Sequence, residues 1–222
     1  IDKFDTASGK FVFAGEENGF AIDQDKLARD IVQALKDKTF DAQIKATGSE
    51  TAPDITAAAA KEKYKTISTF TTKTTANKDR NTNIRLAAEA LNGTVVHPGE
   101  EFSFNQAVGQ RTEAKGYKGA AAYNSGEVVQ EIGGGVCQIS TTLYNASLLA
   151  ELEIVQRQNH SMTVSYVKPS MDAAIAGTYK DLKIKNPYDT PIYIEGYTQG
   201  KTLTFTIYGK ETRPSNRTLA FE

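Results

Sequence analysis

The fold of this 222-residue chain is decided by residues 128–152, whose sequence is VVQEIGGGVCQISTTLYNASLLAEL. The apolar run that ends at Ile132 predicts a short strand, and the three glycines after it allow backbone conformations that other residues rarely adopt. Beyond Cys137, apolar side chains recur at helical spacing, which predicts a helix from about Gln138 to Leu152. Because further leucines widen the apolar stripe, we expect this helix to be buried on most sides.

The composition excludes several classes of protein. Lys and Arg number 26 against 27 Asp and Glu, so the net charge of −1 gives no overall field that favours nucleic acid or an anionic membrane. No apolar run approaches the roughly 20 residues that span a bilayer. The single cysteine excludes an intrachain disulfide and any multi-cysteine metal site. We therefore expect no nucleic-acid partner and no transmembrane segment in these residues.

A zinc site is an alternative use of the few residues that can bind metal. It would have to combine Cys137, His160 and His97 with a carboxylate, and none of these has the close pair spacing that zinc ligands usually show. Neither a dinucleotide-binding nor a P-loop pattern surrounds the three glycines. We therefore expect neither a metal nor a cofactor.

The chain as a whole predicts an α+β fold in two parts, with a mixed or antiparallel sheet packed against the buried cysteine-bearing helix and a small α+β unit before it. The small unit occupies residues 1–48, and a segment rich in Gly, Ser, Pro and Ala forms a linker over 49–63. The larger domain covers 64–212, and 213–222 form a polar tail.

In the small unit, Asp23 is the predicted N-cap of a helix with Leu27, Ile31 and Leu35 on one face. A returning strand is expected at Phe40–Ala46. In the larger domain, Ile67–Thr75 is β-branched and Asn81–Leu91 has helical spacing. Further strands are predicted at Val95–Val96, Val128–Ile132, Ile154–Arg157, Thr163–Val167, Ala173–Thr178, Leu182–Lys185, Ile192–Tyr197 and Leu203–Tyr208.

The chemistry of the chain is expected at Cys137. In the first turn of a helix, its thiolate would face the positive end of the helix dipole, which lowers the pKa of a thiol. Amides of the glycine turn, Gly134 and Gly135 included, together with Gln138, could stabilise an oxyanion. These features are typical of a nucleophilic cysteine. The alternative is that Cys137 packs as a small apolar residue, as free cysteines usually do.

A nucleophilic cysteine needs a base, and His160 follows the predicted helix. Asp172 comes 12 residues later and could orient the imidazole, while Asn186 is a rival for that role. The order Cys, His, Asp is that of papain- and transglutaminase-type enzymes, which is an analogy of topology. The structural alternatives are a histidine bonded across strands and an aspartate that closes a turn.

Two arginines, Arg111 and Arg157, are candidates for binding a substrate carboxylate with two parallel hydrogen bonds. The alternative for each is a structural ion pair.

Several motifs together resemble the VanW family. They are Asn81-Thr-Asn-Ile-Arg, Leu91-Asn-Gly, Pro98-Gly-Glu-Glu-Phe-Ser-Phe-Asn105, Val108-Gly-Gln-Arg111, Gly116-Tyr117, Gly133-Gly-Gly-Val-Cys-Gln-Ile-Ser-Thr-Thr-Leu-Tyr-Asn145, Arg157 to His160-Ser161 and Asp172-Ala173. The match covers about residues 65–210. One departure is Pro169-Ser170-Met171-Asp172, where a glycine is expected before the aspartate.

Residues 1–60 resemble the C-terminal part of a predicted peptidoglycan-binding domain that often precedes VanW domains. The resemblance implies a bacterial, extracytoplasmic cell-envelope protein, anchored in the membrane or exported in full length, with a link to glycopeptide (vancomycin) resistance. It implies peptidoglycan or its stem peptides as partner but no particular reaction. Two hypotheses follow. One is a thiol-dependent peptidase or transpeptidase-like acyl transferase that uses Cys137, His160 and Asp172. The other is a non-catalytic peptidoglycan-binding or scaffold module.

Overall fold

A computed structural model of the chain describes residues 3–5, 10–12, 16–53, 56–59, 64–124 and 127–220. It contains two compact units, Ile1–Glu62 and Lys63–Glu222. Helices and antiparallel sheets are combined in the described residues, which confirms the predicted α+β class.

The described residues of the first unit include two small antiparallel pairs and a helix. Strand β1 pairs with β2, and β3 pairs with β4; their bounds are Lys3–Asp5, Lys10–Val12, Gly19–Ile22 and Gly48–Thr51. Helix α1 spans Gln24–Lys36 and is capped as predicted, because a carboxylate oxygen of Asp23 accepts the amide hydrogen of Lys26 at 2.8 Å. The segment expected to be a linker from residue 49 thus begins within β4.

One expectation for this unit is wrong. Phe40–Ala46 forms a turn and irregular chain instead of a strand, because β3 takes β4 as its partner and Thr39 turns back onto the carbonyl of Ala34. The apolar face of α1 is exposed, with Leu35 at 57% of its full accessibility, and none of the residues of α1 is buried.

The second unit contains most of the secondary structure. In chain order its elements are β5 (Tyr64–Lys73), α2 (Lys78–Leu91), β6 (Thr94–Val96), β7 (Glu101–Ser103), α3 (Phe104–Val108), a 3-10 turn (Glu113–Lys115), β8 (Gly119–Asn124), β9 (Glu127–Ile132), α4 (Cys137–Leu149), β10 (Glu153–Gln156), β11 (Lys183–Lys185), β12 (Ile192–Gln199) and β13 (Thr202–Lys210). The helices α2 and α4 are those predicted; α2 begins three residues earlier than expected and ends at Leu91 as expected, and α4 begins one residue earlier and ends three residues earlier.

Helix α4 packs against the four-stranded sheet β5-β13-β12-β6, mainly on β5 and β13. Its apolar side chains Ile139 and Leu143 are fully buried. Polar side chains join it to β5: the hydroxyl of Thr142 lies 2.9 Å from that of Thr72, and the hydroxyl of Ser68 donates to the carbonyl of Ala146 at 2.7 Å. The cysteine-bearing helix is therefore at the centre of this unit, as predicted.

The prediction of strands at Thr163–Val167 and Ala173–Thr178 is wrong, because neither segment forms a strand. This part of the chain makes only isolated bridges, one between Gln158 and Ala174 and one between Ala176 and Lys180. Side chains rather than a neighbouring strand satisfy its backbone: the hydroxyls of Ser140 and Thr141 on α4 both donate to the carbonyl of Ala173. Residues 157–182 thus form a long loop over the start of α4.

Candidate active site

A cavity of about 860 Å³ lies at the N-terminal end of α4. The turn 133–136 and Cys137 form part of its wall, and His160 and Tyr166 on the 157–182 loop form another part. Four cationic side chains also line it: Lys73, Arg80, Arg111 and Lys180. The two groups that the sequence suggested as nucleophile and base are therefore on the wall of one cavity.

Cys137 is the first residue of α4, so the predicted position at the helix N-terminus is found. The residue is partly buried, and its thiol donates to the carbonyl of Ile175 at 3.5 Å. Burial raises the pKa of the Cys137 thiol, and this effect outweighs the opposing effects of the Ile175 bond and of Arg111, Lys180 and Arg80. The expected lowering of this pKa is therefore wrong, and the resting sulfur is a protonated thiol.

His160 is held by Asp172. The Nδ1 atom of the imidazole and the backbone amide of His160 each lie 2.6 Å from Oδ2 of Asp172. Burial by itself would raise the pKa of Asp172, but the hydrogen bonds and charge of His160 lower it below the ordinary value. An ionised carboxylate accepts a hydrogen from Nδ1, which leaves Nε2 of His160 as the nitrogen that can take a proton.

Arg157 holds Asp172 in turn, which does not fit the expected role of binding a substrate carboxylate. Its guanidinium donates to the carbonyl of Asp172 at 2.7 Å, to Oδ1 of the same residue at 3.1 Å and to the carbonyl of Ser170 at 3.0 Å. The guanidinium carbon also lies 5.4 Å from the ring centre of Tyr144. The N–H groups of its guanidinium donate to acceptors within the loop, so Arg157 is a structural residue that fixes the carboxylate partner of His160.

Asn186, the rival to Asp172, is placed elsewhere. Its side-chain amide donates to the carbonyls of Val96 and Thr190, both at 2.9 Å, and its oxygen accepts the amide of Tyr188. It is fully buried and ties a turn to β6. Asp172 is therefore the group that orients His160.

The side chain of Gln138 cannot serve as an oxyanion donor in this arrangement. Both hydrogens of its amide are used, one on the hydroxyl of Thr72 at 2.8 Å and one on the carbonyl of Lys73 at 2.9 Å. Its oxygen accepts from Nη2 of Arg80 at 2.8 Å. Gln138 therefore joins α4 to β5 and fixes Arg80 beside the cavity.

The glycines of the turn are required by their surroundings. A Cβ at Gly134 would lie 2.2 Å from the carbonyl oxygen of Ala120, and Gly135 has a φ of +101° with the side chain of Arg80 against it. Within the described chain, the amides of Gly135 and Cys137 make no hydrogen bond to another residue, whereas those of Gly134 and Gln138 bond to Glu131 and Gly135. The donors left for an oxyanion are thus backbone amides.

Several residues that line the cavity were not singled out from the sequence, among them Lys73, Arg80, Lys180 and Tyr166. Burial raises the pKa of the Tyr166 phenol far above its usual range, and the neighbouring Cys137 raises it further. Tyr166 lies between His160 and Asp172 in the chain, so its position in the loop that joins the base to its orienting group could have identified it as a residue of the cavity. No local sequence pattern pointed to Arg80 or Lys180.

Neither a metal-binding cluster nor a membrane-spanning helix is found in the described residues. No cluster of three or more His, Cys, Asp and Glu side chains in them is arranged to bind a metal ion. None of the helices in this part of the chain has the length and apolar character needed to cross a membrane.

Comparison with known proteins identifies similar chains. The family model described as "VanW like protein" matches residues 79–208. "Uncharacterized protein YoaR" of Bacillus subtilis (strain 168) is 44% identical over 135 residues, which are 61% of this chain and 45% of that protein. "Vancomycin B-type resistance protein VanW" of Enterococcus faecalis (strain ATCC 700802 / V583) is 34% identical over 113 residues, 48% of this chain and 41% of that protein. The match thus spans less than half the length of either relative, and no solved structure matches.

Proposed function

Because the chain belongs to the VanW-like family, we propose that it acts in the bacterial cell envelope, outside the cytoplasm, as a thiol-dependent acyl-transfer enzyme on peptidoglycan stem peptides. The name of one relative links the family to vancomycin resistance. Residues 1–48 would then help to hold the chain on peptidoglycan. The reaction is cleavage of a peptide bond or exchange of its amine.

The observation that carries this proposal is the placement of Cys137 and His160 on one cavity, with Asp172 bonded to Nδ1 of the imidazole. A thiol, a base and an orienting carboxylate are the three parts of a cysteine acyl-transfer site. Arg157 supports it further, because it donates two hydrogen bonds to Asp172 and one to the neighbouring carbonyl of Ser170.

The chemistry follows from the protonated thiol. Nε2 of His160 takes the proton from Sγ of Cys137 as the sulfur attacks the substrate carbonyl carbon, and the amides of Gly135 and Cys137 donate to the oxyanion. The C–N bond then breaks, the imidazolium returns the proton to the leaving amine, and a thioester remains on Cys137. Water or a second amine attacks the thioester, which releases the acyl product and restores the thiol.

The test uses the full chain and purified pentapeptide stem peptides. Product release is followed by chromatography and mass spectrometry, and acid-quenched protein is weighed intact to detect the thioester. We expect Cys137→Ala to abolish turnover and His160→Gln to slow it by roughly 10²–10⁴-fold. The exposed His97, whose amide binds Glu100, provides the matched control, and His97→Gln should leave the rate unchanged. Turnover that survives Cys137→Ala would exclude this mechanism.

A second candidate is a peptidoglycan-binding module without catalysis. It is supported by the burial of the Cys137 thiol and its hydrogen bond to Ile175, which are also typical of a cysteine that packs. In that case purified sacculi would retain the protein, retention would survive Cys137→Ala, and no thioester would form with any stem peptide. Failure of the wild-type protein to bind sacculi would exclude this candidate.

A further inference from the structure

The charge of the cavity wall is unlike that of the chain as a whole. Its lining residues include four cations and one carboxylate, whereas the whole chain has a net charge of −1. The cations are Lys73, Arg80, Arg111 and Lys180, and the carboxylate is that of Glu131. A concave site lined by one sign of charge attracts ligands of the opposite sign. The cavity therefore favours an anionic ligand.

Three of these cations, Lys73, Arg111 and Lys180, make no ion pair with a carboxylate of the described residues. The guanidinium of Arg111 makes one long hydrogen bond, 3.5 Å, to the neutral oxygen of Asn105. Arg80 differs, because its Nη2 is held by Gln138 at 2.8 Å. Arg111, Lys180 and Lys73 can thus turn to a ligand. Asn105 joins the first two, because it contacts the guanidinium of Arg111 and donates to the carbonyl of Lys180 at 2.8 Å.

Arg111 is also next to the nucleophile. A Cβ at Gly133 would lie 3.0 Å from the Cβ of Arg111, and the turn that starts at Gly133 leads directly into Cys137. The charge of Arg111 also acts on the Cys137 thiol, whose pKa it lowers against the larger effect of burial. A substrate carboxylate held by Arg111 would therefore lie close to the scissile bond.

We propose that Arg111 and Lys180 bind the free C-terminal carboxylate of a peptide, so that the enzyme releases the last residue of a chain rather than cutting within it. This inference rests on the proposed function. The bond broken is the last amide: the leaving amine is that of the terminal amino acid, which takes the proton from His160, and the rest of the peptide becomes the thioester. Water then converts the thioester to a new carboxylate.

Two peptides test this proposal, identical except that one ends in a carboxylate and the other in a carboxamide. Their affinity for the full chain is measured by calorimetry and their cleavage by mass spectrometry. A charge-assisted bidentate bond predicts a roughly tenfold to hundredfold preference for the carboxylate. Arg111→Gln should remove most of that preference and Arg111→Lys should keep part of it.

The matched control is Arg85→Gln, since Arg85 is exposed on α2 and pairs with Glu89 at 2.8 Å. It should leave the preference unchanged, and thermal melting establishes that each variant is folded. Equal affinity for both peptides in the wild type would overturn the carboxylate subsite even if both were cleaved. Preferential binding that depends on Arg111, without any thioester on Cys137, would support the subsite and overturn the proposed enzyme.

Discussion

Helices α1 and α4 are both thirteen residues long, yet they have opposite environments. The apolar stripe of α1 is easily seen in the sequence, but Ile31, Val32 and Leu35 are exposed. In α4 the apolar and polar positions are mixed, and Leu143 is fully buried. A stripe predicts which face of a helix can be buried, and only the rest of the fold decides whether a surface is there to cover it.

The two helices also differ at their starts. Asp23 caps α1 with its own side chain, whereas Val136 gives α4 no side-chain cap. The first turn of α4 is covered by the 157–182 loop, which Asp172 and Arg157 hold together. A helix end left without a local cap is therefore the one that faces the cavity, where its amides can meet a ligand.

The largest effect should come from the body of α4. Leu143→Ala removes a fully buried side chain and should lower the free energy of unfolding by about 2–5 kcal/mol, since a cavity is added to the lost burial. Urea unfolding measures it. The matched change on α1, Leu35→Ala, should cost no more than about 0.5 kcal/mol, because Leu35 is 57% exposed. Equal costs for the two variants would contradict the contrast drawn between the helices.

A smaller effect should come from the loop over the first turn of α4. Asp172→Asn removes a buried carboxylate that accepts two hydrogen bonds from His160 and should lower the free energy of unfolding by roughly 1–3 kcal/mol near neutral pH. The pKa of Asp172 is lowered in the folded chain, so its ionised form is bound more tightly there and contributes stability above its unfolded pKa. That contribution is lost as the pH falls through the folded pKa, below the ordinary value of 3.8. Urea unfolding of both proteins over a pH series should show the difference shrinking in acid; a difference that grew in acid would contradict the assignment.

The smallest effect concerns the reactivity of Cys137. Because burial raises the pKa of its thiol above 9.0, the rate of iodoacetamide labelling at about pH 7 should be several times lower than that of free cysteine. The rate should still be rising with pH above 9.0. Intact-mass measurements over a pH series check both points, with unfolded protein as the control. A plateau near neutral pH would instead indicate a preformed thiolate–imidazolium pair.

Local rules were sufficient where neighbouring residues determine the structure. The Asp23 cap depends on a bond to Lys26, and α4 begins at the glycine turn, so both could be read from short stretches. The order Cys, His, Asp in the chain made Asp172 a candidate partner of His160, with Asn186 as a rival, and the structure contains the bond to Asp172. In contrast, Thr163–Val167 is β-branched and alternating, yet no strand is beside it.

The cavity wall was harder to predict because it is assembled from distant parts of the chain. Arg80 is in the first turn of α2 and is turned to the cavity by Gln138, 58 positions away. Lys180 reaches it from the end of the 157–182 loop. The part that Gln138 has in joining α4 to β5 was not foreseen for the same reason, because its acceptors lie on a distant strand. For Arg157, the structural ion pair that was one of the two alternatives is found.

The contact of Gly134 with the carbonyl of Ala120 has a mechanical consequence. It interlocks the β8–β9 hairpin with the turn that carries Cys137, and no side chain separates the two backbones. A displacement of the hairpin, whether by a bound polymer or by a bulky substitution, would therefore also move the turn and the sulfur of Cys137. Substitutions that change the ligand preference of this cavity are therefore expected at its cationic side chains, while Gly134 and Ala120 stay unchanged.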